Sequence, residues 1–146
     1  MNQLAGSTVA LDLSAIIELT DERLFELCRA NRDLRLERTA EGELVVMSPT
    51  GGEISRRNAR ITSQLIVWAD RDRTGIVFDS SGGFKLPNGA IRAPDAAWVR
   101  LTAWHKLRDE DKEKFVPLCP DFIIELRSSS DSVSELQDKM QEYLDN

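Results

Sequence analysis

The order of patterns along this chain predicts an α/β (α+β) fold, a central mixed β-sheet flanked by helices with an N-terminal helix and β-hairpin. Three observations predict it. Apolar residues recur at helical spacing in three separated segments. Between those segments lie short runs of β-favouring residues bounded by Gly, Pro and Asn. The chain has 146 residues, 41% hydrophobic and 30% charged, which suits one soluble domain with a core of its own.

Residues 1–19 carry little pattern and read as an N-terminal arm, which leaves 20–146 as the domain. Thr20-Asp21-Glu22 opens a helix, because a threonine oxygen caps free amides and acids suit the positive helix start. Leu24, Phe25, Leu27 and Cys28 form its apolar stripe, and Asn31-Arg32-Asp33 ends it. Leu34–Arg38 and Glu43–Met47 read as a hairpin turned at Glu41-Gly42. After the loop Ser48–Gly52, a long helix over roughly 53–72 places Ile54, Ile61, Leu65 and Trp68 on one face.

Gly75–Asp79 and Phe84–Leu86 read as strands, and Pro87-Asn88-Gly89 turns the chain toward a strand around Asp95. Residues 101–116 are charged and read as a helical excursion. A strand around Glu125 follows. Ser132-Val133-Ser134-Glu135 has the form of a capping box, and the helix behind it is expected to bury Val133, Leu136, Met140, Tyr143 and Leu144. That helix runs to Asn146 without a stop signal, so a further C-terminal element is expected.

Composition excludes several functions. The N-terminus lacks the basic start and apolar core of a signal peptide, and no apolar run reaches membrane-spanning length, so a cytoplasmic location is expected. Cys28 and Cys119 show no Cys-x-x-Cys spacing, which argues against zinc and for two reduced thiols. His105 is the lone histidine and no Gly-x-Ser-x-Gly is present, which argues against a Ser-His-Asp hydrolase. Neither Gly51-Gly52 nor Gly82-Gly83 leads into a phosphate loop. The net charge is −6, so a nucleic-acid partner needs a local basic patch or a bound metal. Arg56, Arg57 and Arg60 offer such a patch, although a solvated basic helix face is the plainer reading. Trp68, Trp98 and Trp104 read as core or rim rather than as base-stacking platforms.

Two acids lie where carboxylates are uncommon. Asp95 follows Ile91-Arg92-Ala93-Pro94, and Glu125 follows Phe122-Ile123-Ile124. A carboxylate in such surroundings shifts its pKa, finds a cation or binds a metal. In a strand, Asp121, Ile123, Glu125 and Arg127 share one face. Two acids on neighbouring strands suit a hard divalent cation. Other readings stand beside this one: Pro-Asp is a common turn pair, and Glu125 could simply pair with Arg127 or Lys139. Asp121, at the strand edge, reads as structural.

Pro94-Asp95 followed by Glu125-Leu126-Arg127 resembles the PD-(D/E)XK nuclease superfamily, with Arg127 where a lysine is usual. Glu43–Gly51, Arg92–Asp95, Pro120–Ser128 and Leu136–Tyr143, in that order, are similar to its bacterial restriction-endonuclease family over roughly residues 20–146. The resemblance implies a restriction-endonuclease-like core, lacking its C-terminal element, and a divalent-metal-dependent endonuclease acting on DNA. It implies Mg²⁺ or Mn²⁺ held by Asp95, Glu125 and the carbonyl of Leu126, with Glu53 a lesser candidate ligand and Glu37 a comparable outside one. It further implies that the lysine role has moved to Lys139, with Arg127 assisting, and by analogy a homodimer. A lysine of lowered pKa could position or deprotonate water, whereas an arginine can only stabilise charge. The alternatives are a degenerate nuclease fold that binds nucleic acid or a protein partner without cutting, and a hydrolase of another phosphoester.

Overall fold

The computed structural model describes residues 8–128 and 131–146. Its elements are β1 (Thr8–Leu11), α1 (Asp21–Ala30), β2 (Arg35–Arg38), β3 (Leu44–Met47), α2 (Gly52–Asp72), β4 (Gly75–Phe78), β5 (Phe84–Lys85), β6 (Ile91–Arg92), β7 (Ala96–Arg100), α3 (Leu101–Trp104), α4 (Asp109–Lys112), β8 (Phe122–Ile124) and α5 (Val133–Asp145). The α+β class, the first helix and the hairpin follow the sequence expectation.

The sheet is divided rather than continuous. One sheet has the order β1-β3-β2-β6-β5, and the other β4-β7-β8. Every ladder is antiparallel, and the only parallel pairing among the described residues is an isolated bridge between Phe84 and Val116. Short turns explain much of this, since parallel neighbours need a long crossover and antiparallel ones do not. The β2–β3 turn closes with Gly42 at φ 94°, and the β5–β6 turn with Gly89 at φ 91°, a backbone region open to glycine.

Part of the expected arm is structured. Thr8–Leu11 pairs along β3 as an exposed edge strand, and Leu13 and Leu19 pack into the core. The first seven residues of that arm lie outside the described residues. The charged stretch after β7 is broken into the two single-turn helices α3 and α4.

Two apolar clusters hold the layers. Leu19, Leu24, Leu36, Leu44 and Ile91 join α1 to the first sheet. Phe84, Leu86, Ala97, Val99, Val116 and Tyr143 join the second sheet to α5. On α1, the Thr20 side chain accepts from the Arg23 N–H, as its capping position requires. On α2 the inward stripe runs Ile54-Asn58-Ile61-Leu65-Ala69. Trp68, one step off that stripe, is exposed and lies edge-on to Trp98 at 5.6 Å. Gly75 has no room for a side chain because the Trp98 indole lies against its α-carbon. On α5 the inward face is Leu136, Lys139, Met140 and Tyr143. Val133 and Leu144, expected to be buried, are exposed, since the face is narrower than their positions require. No helix among the described residues is long and apolar enough to cross a membrane.

Candidate active site

Strands β7 and β8 pair with Ala96 opposite Ile124. One further step in that register sets Asp95 opposite Glu125. Opposed residues on antiparallel strands share a face, so both acids lie on the side that α5 covers. Pro94, itself buried, fixes the entry into β7.

Asp95 is buried and held by three distant segments. Its Oδ1 accepts from Arg35 Nη1 at 2.9 Å and from Asn58 Nδ2 at 3.4 Å, and its Oδ2 accepts from the Leu126 N–H at 2.6 Å. A turn cap would have local partners; these are 31 to 60 residues away. Arg35 also donates to the Ala93 carbonyl at 2.6 Å, and its buried Nε has no partner among the described residues.

Glu125 meets Lys139 Nζ at 2.8 Å and accepts from the Tyr143 hydroxyl at 3.3 Å, both through Oε1. No described residue donates to its Oε2. Burial pushes this carboxyl above the usual range; Glu37 and Asp95 push the same way, and Lys139 opposes them.

Lys139 reaches inward from α5 between Glu125 and Glu37, 2.9 Å from Glu37 Oε1. Burial works against its charge, but Glu37 and Glu125 outweigh burial and hold the ammonium above the ordinary lysine value. The sequence allowed a lysine of lowered pKa; the two carboxylates beside Lys139 shift it in the opposite direction.

Glu37 is only 1% exposed. Burial pushes its carboxyl up, yet Lys139, Arg92 and the Ala93 N–H together hold it below the usual range. Arg92 spans Glu37 at 3.2 Å and Glu142 at 2.6 Å. The Tyr143 hydroxyl is pushed up by burial, then by Glu125 and Glu37, and stays a hydrogen-bond donor.

The structure thus brings Asp95, Glu125, Lys139 and Glu37 together. Leu126 contributes its N–H to Asp95. Arg127 is exposed and makes no ion pair with a described residue. Glu53 is exposed too, held by Arg56 and Arg57 on its own helix, and those arginines draw its carboxyl below the usual range. Asp121 accepts from the Arg100 backbone at 3.0 Å and pairs with that guanidinium, a structural role.

Sequence reasoning missed Arg35, Asn58, Arg92 and Glu142. Two signals were available. Arg35 and Glu37 alternate with Leu36, so both leave the apolar face together. Asn58 falls four residues after Ile54 and three before Ile61, a polar residue within an apolar stripe.

Among the described residues no three acids, histidines or cysteines stand in a ready-made metal-binding group. The donor chemistry suits a hard divalent cation through two carboxylates. Asp95 and Glu125 are opposed, buried and oxygen-rich, and the charge on Glu125 is penalised by burial, then by Glu37 and Asp95, in the way a cation would relieve.

An α+β core with two opposed acids at strand ends, and a lysine facing one of them, is that of a restriction-endonuclease-like protein. The sequence makes the class specific: the model of the Uma2 family, described as "Putative restriction endonuclease", matches residues 21–146, and the chain belongs to that family. A search of curated proteins gave no match.

Proposed function

We propose that this protein is a divalent-metal-dependent endonuclease that hydrolyses phosphodiester bonds in DNA. One observation carries the reading: Lys139 reaches from α5 into a pair of buried carboxylates, one of which, Glu125, lies opposite Asp95 in the strand register. Asp95 and Glu125, with the Leu126 carbonyl, would hold Mg²⁺ or Mn²⁺. When bound, the metal supplies positive charge to a phosphate oxygen and a water of lowered pKa. The chain's own residues do the rest. Lys139 stays protonated and stabilises charge that builds on phosphorus. Arg35 and Asn58 fix the rotamer of Asp95, and Tyr143 fixes Glu125. Glu37 keeps Lys139 charged and aimed inward. Arg127, exposed two residues beyond Glu125, is free to meet a phosphate of the substrate and cannot act as a base. Glu53 is left out of the ligand set because its partners are arginines.

Plasmid DNA incubated with Mg²⁺ or Mn²⁺ tests this. Wild-type protein should cut, and Asp95→Asn should reduce cutting to background while keeping its circular dichroism spectrum. Cutting by Asp95→Asn at the wild-type rate would show that the site is elsewhere. A second reading has its own support. Arg35, Arg92 and Lys139 already pair with the acids without a metal, as in a nuclease fold kept only for binding. Calorimetric titration with Mn²⁺ separates the two, because only the enzyme reading expects metal uptake that Asp95→Asn removes.

A further inference from the structure

The first half of α2 carries Arg56, Arg57 and Arg60 within about a quarter-turn of one another at 100° per residue. They line a shallow groove of ≈ 300 Å³ together with Ile61 and Gln64. Ile61 gives it an apolar floor and Gln64 an amide at its edge. The arginines are well exposed: the Arg56 and Arg57 side chains retain 59% and 56% of their surface. Glu53 organises two of them. Its carboxylate accepts from Arg56 Nε at 3.0 Å, from Arg56 Nη2 at 2.9 Å and from Arg57 Nε at 2.9 Å. One acid among three bases leaves two net positive charges in this patch, on a chain whose total is −6.

The same helix carries Asn58, which donates to Asp95. The groove and the candidate active site are therefore fixed to each other by one rigid element. A helix is about 10 Å across, about three base-pair rises along one DNA strand.

We propose that the Arg56–Arg57–Arg60 groove is a docking surface for the phosphate backbone of DNA, flanking the scissile phosphate, and that Glu53 restrains the pull of its arginines. The inference takes its partner from the nuclease reading and names where that partner lies. Arginine forks match phosphate oxygens, and Glu53 is the one acid set against the three bases. The grip is sequence-independent, because it would rest on phosphates rather than bases.

The test is anisotropy of a labelled DNA duplex on the full chain, in EDTA so that nothing is cut, across a series of salt concentrations. Arg56→Gln/Arg57→Gln/Arg60→Gln should weaken binding about tenfold or more, and flatten the slope of log affinity against log salt by about two to three. Glu53→Gln should tighten binding by about threefold to tenfold, since it removes the one opposing charge. A metal-ligand role for Glu53 expects no change in EDTA, so the sign of that variant decides between them. All four positions are exposed, and circular dichroism checks that the variants fold. The proposal is overturned if wild-type protein does not bind the duplex, if the triple variant keeps wild-type affinity and slope, or if Glu53→Gln binds no more tightly. Equal displacement by polyglutamate would also overturn it, in favour of an acidic protein partner. The nuclease reading fails separately: loss of duplex binding in the triple variant, with no cutting by wild type in Mg²⁺ or Mn²⁺, keeps this surface and discards the enzyme.

Discussion

Replacing Lys139 by methionine removes the ammonium shared by Glu37 and Glu125 and keeps most of the side chain's bulk. The two contacts are 2.9 and 2.8 Å long. At an effective dielectric of about 20, a pair at that distance gains roughly 6 kcal/mol of Coulomb attraction. Desolvation cancels much of it, and removing one partner from a buried pair leaves a loss of about 3–5 kcal/mol. In a domain of about 150 residues each kcal/mol lowers Tm by about 2–4 °C, so the variant should melt roughly 6–20 °C lower at neutral pH. The loss should shrink in acid. Glu125 already has a raised carboxyl, and without the lysine it rises further. A raised carboxyl favours the fold below its unfolded value and withdraws that support as pH climbs through the folded value. Glu37 has a lowered carboxyl partly because of Lys139. It contributes stability above its unfolded value, and the variant forfeits that contribution near neutrality but not in acid. Glu125 makes the deficit larger at about pH 8 than at about pH 5, and the part due to Glu37 fades only as pH falls below its unfolded value of about 4.3. Urea unfolding followed by circular dichroism at the two values measures it. Lys139→Met/Glu125→Gln should recover part of the loss, because one uncompensated charge is gone. A deficit under about 1 kcal/mol, the range of exposed pairs, would refute the shared-ammonium account. So would a deficit that does not change with pH.

Other contacts carry their own expected outcomes. Asp21 pairs with Arg38 and Lys85; burial opposes its charge, and the two cations outweigh burial and lower its carboxyl. Asp21→Asn should cost about 1 kcal/mol, with the cost present above about pH 4 and fading as pH falls through the lowered folded value, read as the difference in Tm between the two proteins. Gly75→Ala drives a methyl into the Trp98 indole and should cost about 1–3 kcal/mol, with altered tryptophan fluorescence as the signature. Thr20→Ala leaves the Arg23 N–H without its cap and should cost about 1 kcal/mol in urea unfolding.

Elements set by local chemistry were legible in the sequence. The Thr20 and Ser132 caps, the Gly42 turn and the α2 stripe depend on residues within a few positions of one another, so the chain announces them. The two opposed acids were legible too, because a carboxylate in an apolar strand is conspicuous wherever it lies. What pairs with an acid is a different matter. Arg35 meets Asp95 across 60 residues and Lys139 meets Glu37 across 102, and neither pairing leaves a local mark. Glu53 and Glu37 looked comparable as outside candidates. The structure separates them by neighbourhood: Glu53 has two arginines within four residues on its own helix, whereas Glu37 sits on a central strand with no escape to water. The divided sheet was hidden for a related reason, since strand order depends on which short strands meet and not on any one strand's composition.

The charged cluster also explains how α5 stays docked. That helix offers few apolar side chains: Leu136 and Met140 are half-buried, and Tyr143 alone is fully so. Much of its remaining hold is ionic, through Lys139 to Glu37 and Glu125 and through Glu142 to Arg92, with Asn88 donating to Glu142 and Asn146 as well. The ionic partners belong to β2, to the end of β8 and to β6, so one network ties the helix to both sheets. Four acids (Glu37, Asp95, Glu125 and Glu142) meet three bases (Arg35, Arg92 and Lys139), which leaves one net negative charge when all are ionised. A divalent cation together with one phosphodiester adds one net positive charge and brings the cluster to neutrality. A metal alone overshoots, and a phosphate alone repels. On that accounting metal and substrate should each bind more tightly in the presence of the other, and α5 should be most firmly docked with both in place. Hydrogen exchange of the α5 amides, measured with Mn²⁺, with an uncleavable DNA duplex and with both, reads this directly. Protection no greater with both than with either alone would mean that neutralisation does not couple the helix to the site.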